Sequence, residues 1–132
     1  MLKNLLTILF LILFSTSSFA AGSSDDSSSK KVKTNYEKAV ESIKFAKKYE
    51  KKGKDQKAKK RYEKAQKFLL KSNKEKPNQA DTLNYLGFTT RKLGDYENGE
   101  KYYLMGLEID PNHTGINEYL GELYVTTNRM DL

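Results

Sequence analysis

His113 is the only histidine of the chain and there is no cysteine, so thiolate catalysis, disulfides and Cys-ligated metal are excluded. His113 follows a Pro111-Asn112 turn, no serine sits in a recognisable nucleophile motif, and no Gly-rich stretch has the form of a phosphate-binding loop. Asp110, Asn112 and Thr114-Gly115 have the spacing that opens a calcium loop, and Glu118 fits its ninth place. The twelfth place, where a bidentate carboxylate belongs, is Gly121, and a turn between two helices accounts for these residues better. Asn112-His113-Thr114 is also an N-glycosylation acceptor pattern, meaningful in a eukaryotic secretory setting. No catalytic, cofactor or metal site is assigned, and the chain is not expected to be an enzyme.

The chemistry that remains is that of binding. Residues 30–76 hold 19 basic and 6 acidic residues, a net charge of +13, whereas residues 77–132 hold 4 and 9, a net charge of −5. Within the basic half, Lys57, Lys60, Lys64, Lys67, Lys71 and Lys74 recur every three or four positions. On a helix they form one ridge, offset by roughly 150° from the apolar stripe Ala58, Tyr62, Ala65, Leu69. A solvated outer face explains such a ridge, and so does a site for an anionic polymer or a membrane surface. Few aromatics interleave the ridge, so base stacking has little support and no nucleic-acid partner is expected.

The elements that must position these groups are read from the stretch Ala80 to His113. Leu83, Leu86, Thr90 and Leu93 recur at helical spacing, Gly94 can end that helix in the left-handed conformation, and Asp95 can cap the next. Asn78 is placed to cap the first helix. Gly99 and Gly106 each cost roughly 1 kcal/mol relative to Ala inside a helix, which suits places where two helices touch. The pattern then restarts: Tyr85, Leu86 and Gly87 return as Tyr119, Leu120 and Gly121, and the turn residue Gly94 as Asn128, 34 positions on. A fixed period of that length marks a stacked helical array.

The spacing resembles the tetratricopeptide repeat. Leu83, Leu86, Gly87, Gly99, Tyr103 and Pro111 fill the places of its pattern, with Thr90 where an aromatic usually stands. A more divergent unit precedes it: Phe45-Ala46, Tyr49, Gly53, Ala58, Tyr62 and Ala65 keep the same order and spacing. Its closing Pro77 comes seven residues late, which lengthens the second helix by about two turns. The expectation is an all-α fold of stacked antiparallel hairpins, a solenoid of about two and a half repeats: 39–79, 80–113 and a half repeat 114–132. Helices are expected near 36–52 and 54–75, 80–92 and 96–109, and 114–127.

Residues 1–20 have the layout of a signal peptide: Lys3, an apolar run from Leu5 to Phe14 too short to span a bilayer, then Ser18-Phe19-Ala20. Cleavage is expected before Ala21, in preference to retention as an anchor, and the product is expected to be periplasmic or secreted. Residues 21–35, rich in Ser, Asp and Lys, read as a flexible leader to a helical domain at 36–132.

The resemblance implies an interaction scaffold whose first helices line a concave face that takes a peptide or a helix of a protein partner. The positions on that face are Ile43, Lys47, Asn84, Phe88, Arg91, Glu118 and Glu122, with Phe88 as an exposed apolar anchor. Family members that grip a C-terminal carboxylate carry Lys and Asn on three successive first helices. Here the cations are Lys47 and Arg91, opposed by Glu118 and Glu122. The half repeat also suggests self-association, because Tyr119, Leu120 and Tyr124 lack a second helix to cover them. The alternative function is binding of an anionic polymer or membrane surface through the lysine ridge.

Overall fold

The computed structural model describes residues 31–131; the signal-peptide reading and most of the leader lie outside them. Five helices follow one another, α1 (Asn35–Glu50), α2 (Asp55–Glu75), α3 (Ala80–Lys92), α4 (Tyr96–Ile109) and α5 (Thr114–Thr126), each within two residues of the expected limits. α1 packs on α2 and α3 on α4 as antiparallel hairpins, α3 joins the two by lying on α2, and α5 rests on α4 and α3. The fold is therefore all-α, built of stacked helix hairpins. Among the described residues no helix is long and apolar enough to cross a membrane.

Local chemistry explains each limit. α1 opens on a reciprocal capping box: Thr34 Oγ1 accepts from the Glu37 amide at 3.1 Å, and the Thr34 amide donates to Glu37 Oε2 at 2.8 Å. It ends where Gly53 takes φ +62° and Lys54 N–H returns to the Tyr49 carbonyl. α2 buries Ala58, Tyr62, Ala65, Leu69 and Ser72 against Ala39, Ser42, Ile43 and Ala46 of α1, and runs unbroken through the extra seven residues. Gly94, at φ +97°, turns the chain into α4, whose first turn is capped by Asp95 Oδ1 accepting from the Asn98 amide at 3.1 Å. One expected cap is corrected. Gln79, not Asn78, occupies the N-cap of α3 without a side-chain bond, because Asn78 itself takes a left-handed backbone, φ +59°, to turn the chain after Pro77.

His113 has a structural part. Its Nδ1 accepts from the Ile116 amide at 3.1 Å and so caps α5; Nε2 must then carry the proton it shares with Asp81 Oδ1 at 2.9 Å. Asp110, the first residue of the calcium-like motif, accepts from the Asn112 amide at 3.2 Å and forms the turn before that cap.

The glycines of the second hairpin mark close helix contacts, as their cost suggested. A Cβ on Gly99 would stand 3.1 Å from the Gly87 carbonyl, one on Gly106 would collide with the Ile116 side chain, and one on Gly87 would fall 2.5 Å from the Tyr103 ring. Gly121, the counterpart of Gly87 one period later, has nothing within 4 Å. The same substitution should act oppositely at the two sites. Gly87→Ala forces the fully buried Tyr103 ring aside and should lose about 1–2 kcal/mol, overpacking outweighing the better helix former. Gly121→Ala meets nothing and should gain up to about 1 kcal/mol. Urea unfolding of both variants checks this, and equal signs would refute it.

Candidate interaction surfaces

α1, α3 and α5 set side chains on one face, as expected of first helices. Lys47 Nζ reaches from α1 to donate to Tyr119 Oη of α5 at 3.1 Å, crossing the Phe88 ring of α3 at 4.6 Å from its centroid. Arg91 pairs with Glu122 Oε2 at 2.7 Å and lies 5.9 Å from both the Phe88 and Tyr119 rings. Glu118 and Val125 are exposed beside this cluster. The two charge signs read as opposed on this face are thus partly paired, Arg91 with Glu122.

The depth of three positions is a correction. Phe88 is 4 % exposed, Ile43 3 % and Asn84 6 %, so they form the floor of the face and not its contact groups. Phe88 meets Tyr62 edge-on at 5.8 Å and Tyr119 at 4.9 Å. The physical reason is that α3 is covered by α2, α4 and α5, so that from Thr82 to Thr90 only Tyr85 is not fully buried. A helix in that position has no free side for an anchor.

Two buried tyrosines flank the cluster. Tyr62 donates to Glu50 Oε2 at 2.8 Å, and Glu50 Oε1 pairs with Lys92 at 2.7 Å. Burial first, then this hydrogen bond, holds the Tyr62 phenol well above its ordinary pKa. Tyr103 is also pushed up by burial, against the lowering effect of the adjacent Arg91 guanidinium, and its hydroxyl has no hydrogen-bond partner within bonding geometry among the described residues.

All six ridge lysines, Lys57, Lys60, Lys64, Lys67, Lys71 and Lys74, are exposed on α2, and none is in an ion pair with a described residue. What the sequence reading missed is that aromatics border this ridge: Tyr49 and Phe45 come from α1, and Phe68 belongs to α2 itself. Lys57 lies 6.0 Å from the Tyr49 ring, Arg61 5.1 Å from Phe45, and Lys38 and Lys64 5.8 and 5.9 Å from Phe68. Residues equidistant from Gly53 face each other in an antiparallel hairpin, and Tyr49/Lys57, Phe45/Arg61 and Lys38/Phe68 stand four, eight and fifteen positions either side of it. That symmetry was available in the sequence. Between the helices runs an open groove of about 420 Å³ lined by Lys38, Glu41, Ser42, Phe45, Arg61, Lys64 and Phe68.

Compared with known proteins, the chain matches no family model and no curated protein.

Proposed function

We propose that the protein is an exported interaction scaffold of tetratricopeptide type, its residues 1–20 removed as a signal peptide, which binds a peptide or helix of a partner protein on the face shared by α1, α3 and α5. The observation that supports this reading best is the side-chain bridge from Lys47 of α1, over Phe88 of α3, to Tyr119 of α5. It ties three successive first helices into one surface, so a ligand laid across it meets α1 and α5 directly and α3 only at the edge of Arg91. Phe88 and Tyr119 give that surface a rigid aromatic floor, and Arg91, Glu118, Glu122 and Val125 offer the groups that can meet a partner.

The test uses exposed residues. A photo-crosslinking side chain at Val125 should capture a protein partner in the native compartment, and Glu118→Lys with Val125→Asp should weaken binding of that partner by about tenfold. Lys60→Gln, Lys67→Gln and Lys71→Gln should leave it within about twofold, with little dependence on salt. Loss on the lysine changes alone, with steep salt dependence, would replace this reading with that of an anionic-polymer or membrane-surface binder.

A further inference from the structure

The groove between the outer edges of α1 and α2 shares no residue with the α1, α3, α5 face. Its floor is aromatic: Phe45 is 40 % exposed and Phe68 half-buried. Its walls carry Lys38 from α1 and Arg61 and Lys64 from α2, and none of the three is ion-paired with a described residue. The one acid, Glu41, is already held by Lys33 Nζ at 2.8 Å. Its carboxyl lies below the usual range, first through that bond and Lys33's charge, then through Lys64 and Arg61 across the groove. Arg61 Cζ lies 5.1 Å from the centroid of the Phe45 ring, and a guanidinium held against a ring face keeps N–H groups that can fork onto a carboxylate.

We infer that this groove is a second docking surface, which takes an acidic segment of a partner protein by seating an apolar side chain on Phe45 and Phe68 and carboxylates on Lys38, Arg61 and Lys64. The occupant follows from charge and shape. Three cations converge from two helices, in a half of the chain with net charge +13, so the missing partner charge is negative. A concave site with one well-exposed phenylalanine suits an inserted side chain better than a flat lipid surface. A polyphosphate or sulfated polymer would need a continuous cationic track, whereas Glu41 interrupts the groove and Lys60, Lys67, Lys71 and Lys74 do not line it.

The test measures fluorescence anisotropy of the full mature chain with three probes: a labelled peptide of four glutamates around one phenylalanine, a heparin hexasaccharide, and phosphatidylserine vesicles. The peptide should bind; Arg61→Gln with Lys64→Gln should weaken it by about tenfold and Phe45→Ser by about fivefold. Glu41→Gln should tighten it severalfold by removing the like charge, and Lys67→Gln with Lys71→Gln should change it by less than about twofold. All these sites are on the surface, and circular dichroism confirms that helix content is kept. No peptide binding, equal losses on groove and ridge variants, indifference to Glu41→Gln, or preference for heparin or vesicles would each overturn the proposal. None of these changes touches Lys47, Phe88, Arg91, Glu118, Glu122 or Val125, so failure here leaves the reading of the other face standing, and the reverse.

Discussion

Phe88→Ala should lower the stability of the folded chain by about 3–5 kcal/mol. The ring is 4 % exposed and stands where three helices meet, edge-on to Tyr62 of α2 and tilted against Tyr119 of α5, with the Lys47 ammonium over its face. Truncation removes the transfer energy of a buried phenyl group and leaves a cavity that these neighbours, themselves pinned by hydrogen bonds to Glu50 and Lys47, cannot easily fill. A domain of this size has about 5–15 kcal/mol in all, so the variant should unfold far below the temperature of the parent chain. Phe88→Leu keeps most of the volume and should lose less, which guards the test against a variant that never folds. Urea unfolding read by far-ultraviolet circular dichroism measures both. A loss below about 1 kcal/mol for the alanine would match an exposed anchor and contradict the packing described here.

Tyr103 should split into two opposite results. Its ring is fully buried on α4 and fills the space left by Gly87 on α3, so Tyr103→Ala should cost about 3–5 kcal/mol. Its hydroxyl has no hydrogen-bond partner among the described residues, so removing it gives up no bond within this packing and relieves a desolvated group. Tyr103→Phe should therefore be neutral or stabilising by up to about 2 kcal/mol. Tyr62→Phe is the control, because it strips Glu50 of a 2.8 Å hydrogen bond and should cost about 1.5–3 kcal/mol. If the two Phe variants lose equally, the Tyr103 hydroxyl has a partner that this packing does not supply.

The sequence by itself determined the five helices and their limits. Those depend on properties within one turn or one period: the spacing of Leu83, Leu86 and Thr90, the left-handed turn at Gly94, the cap at Asp95. It also determined the close approach of α3 and α4, since glycines inside a helix cost energy that only a tight contact offsets, and it placed the six lysines on one open side of α2. Tertiary structure alone decided how deep each face lies. Phe88 falls off the main apolar stripe of α3, and a single-helix reading leaves it exposed; it is buried because α3, paired with α4, is also covered by α2 and α5. The pairing of Phe45 with Arg61 could be read from their symmetry about Gly53, but that the guanidinium comes within 5.1 Å of the ring centroid, with both left at the surface, is set by how α1 packs on α2. Periodicity reports which residues share a side of one helix. Burial and charge-on-ring contacts depend on how many neighbouring helices cover that side and from which direction they come, which is a property of the packed chain.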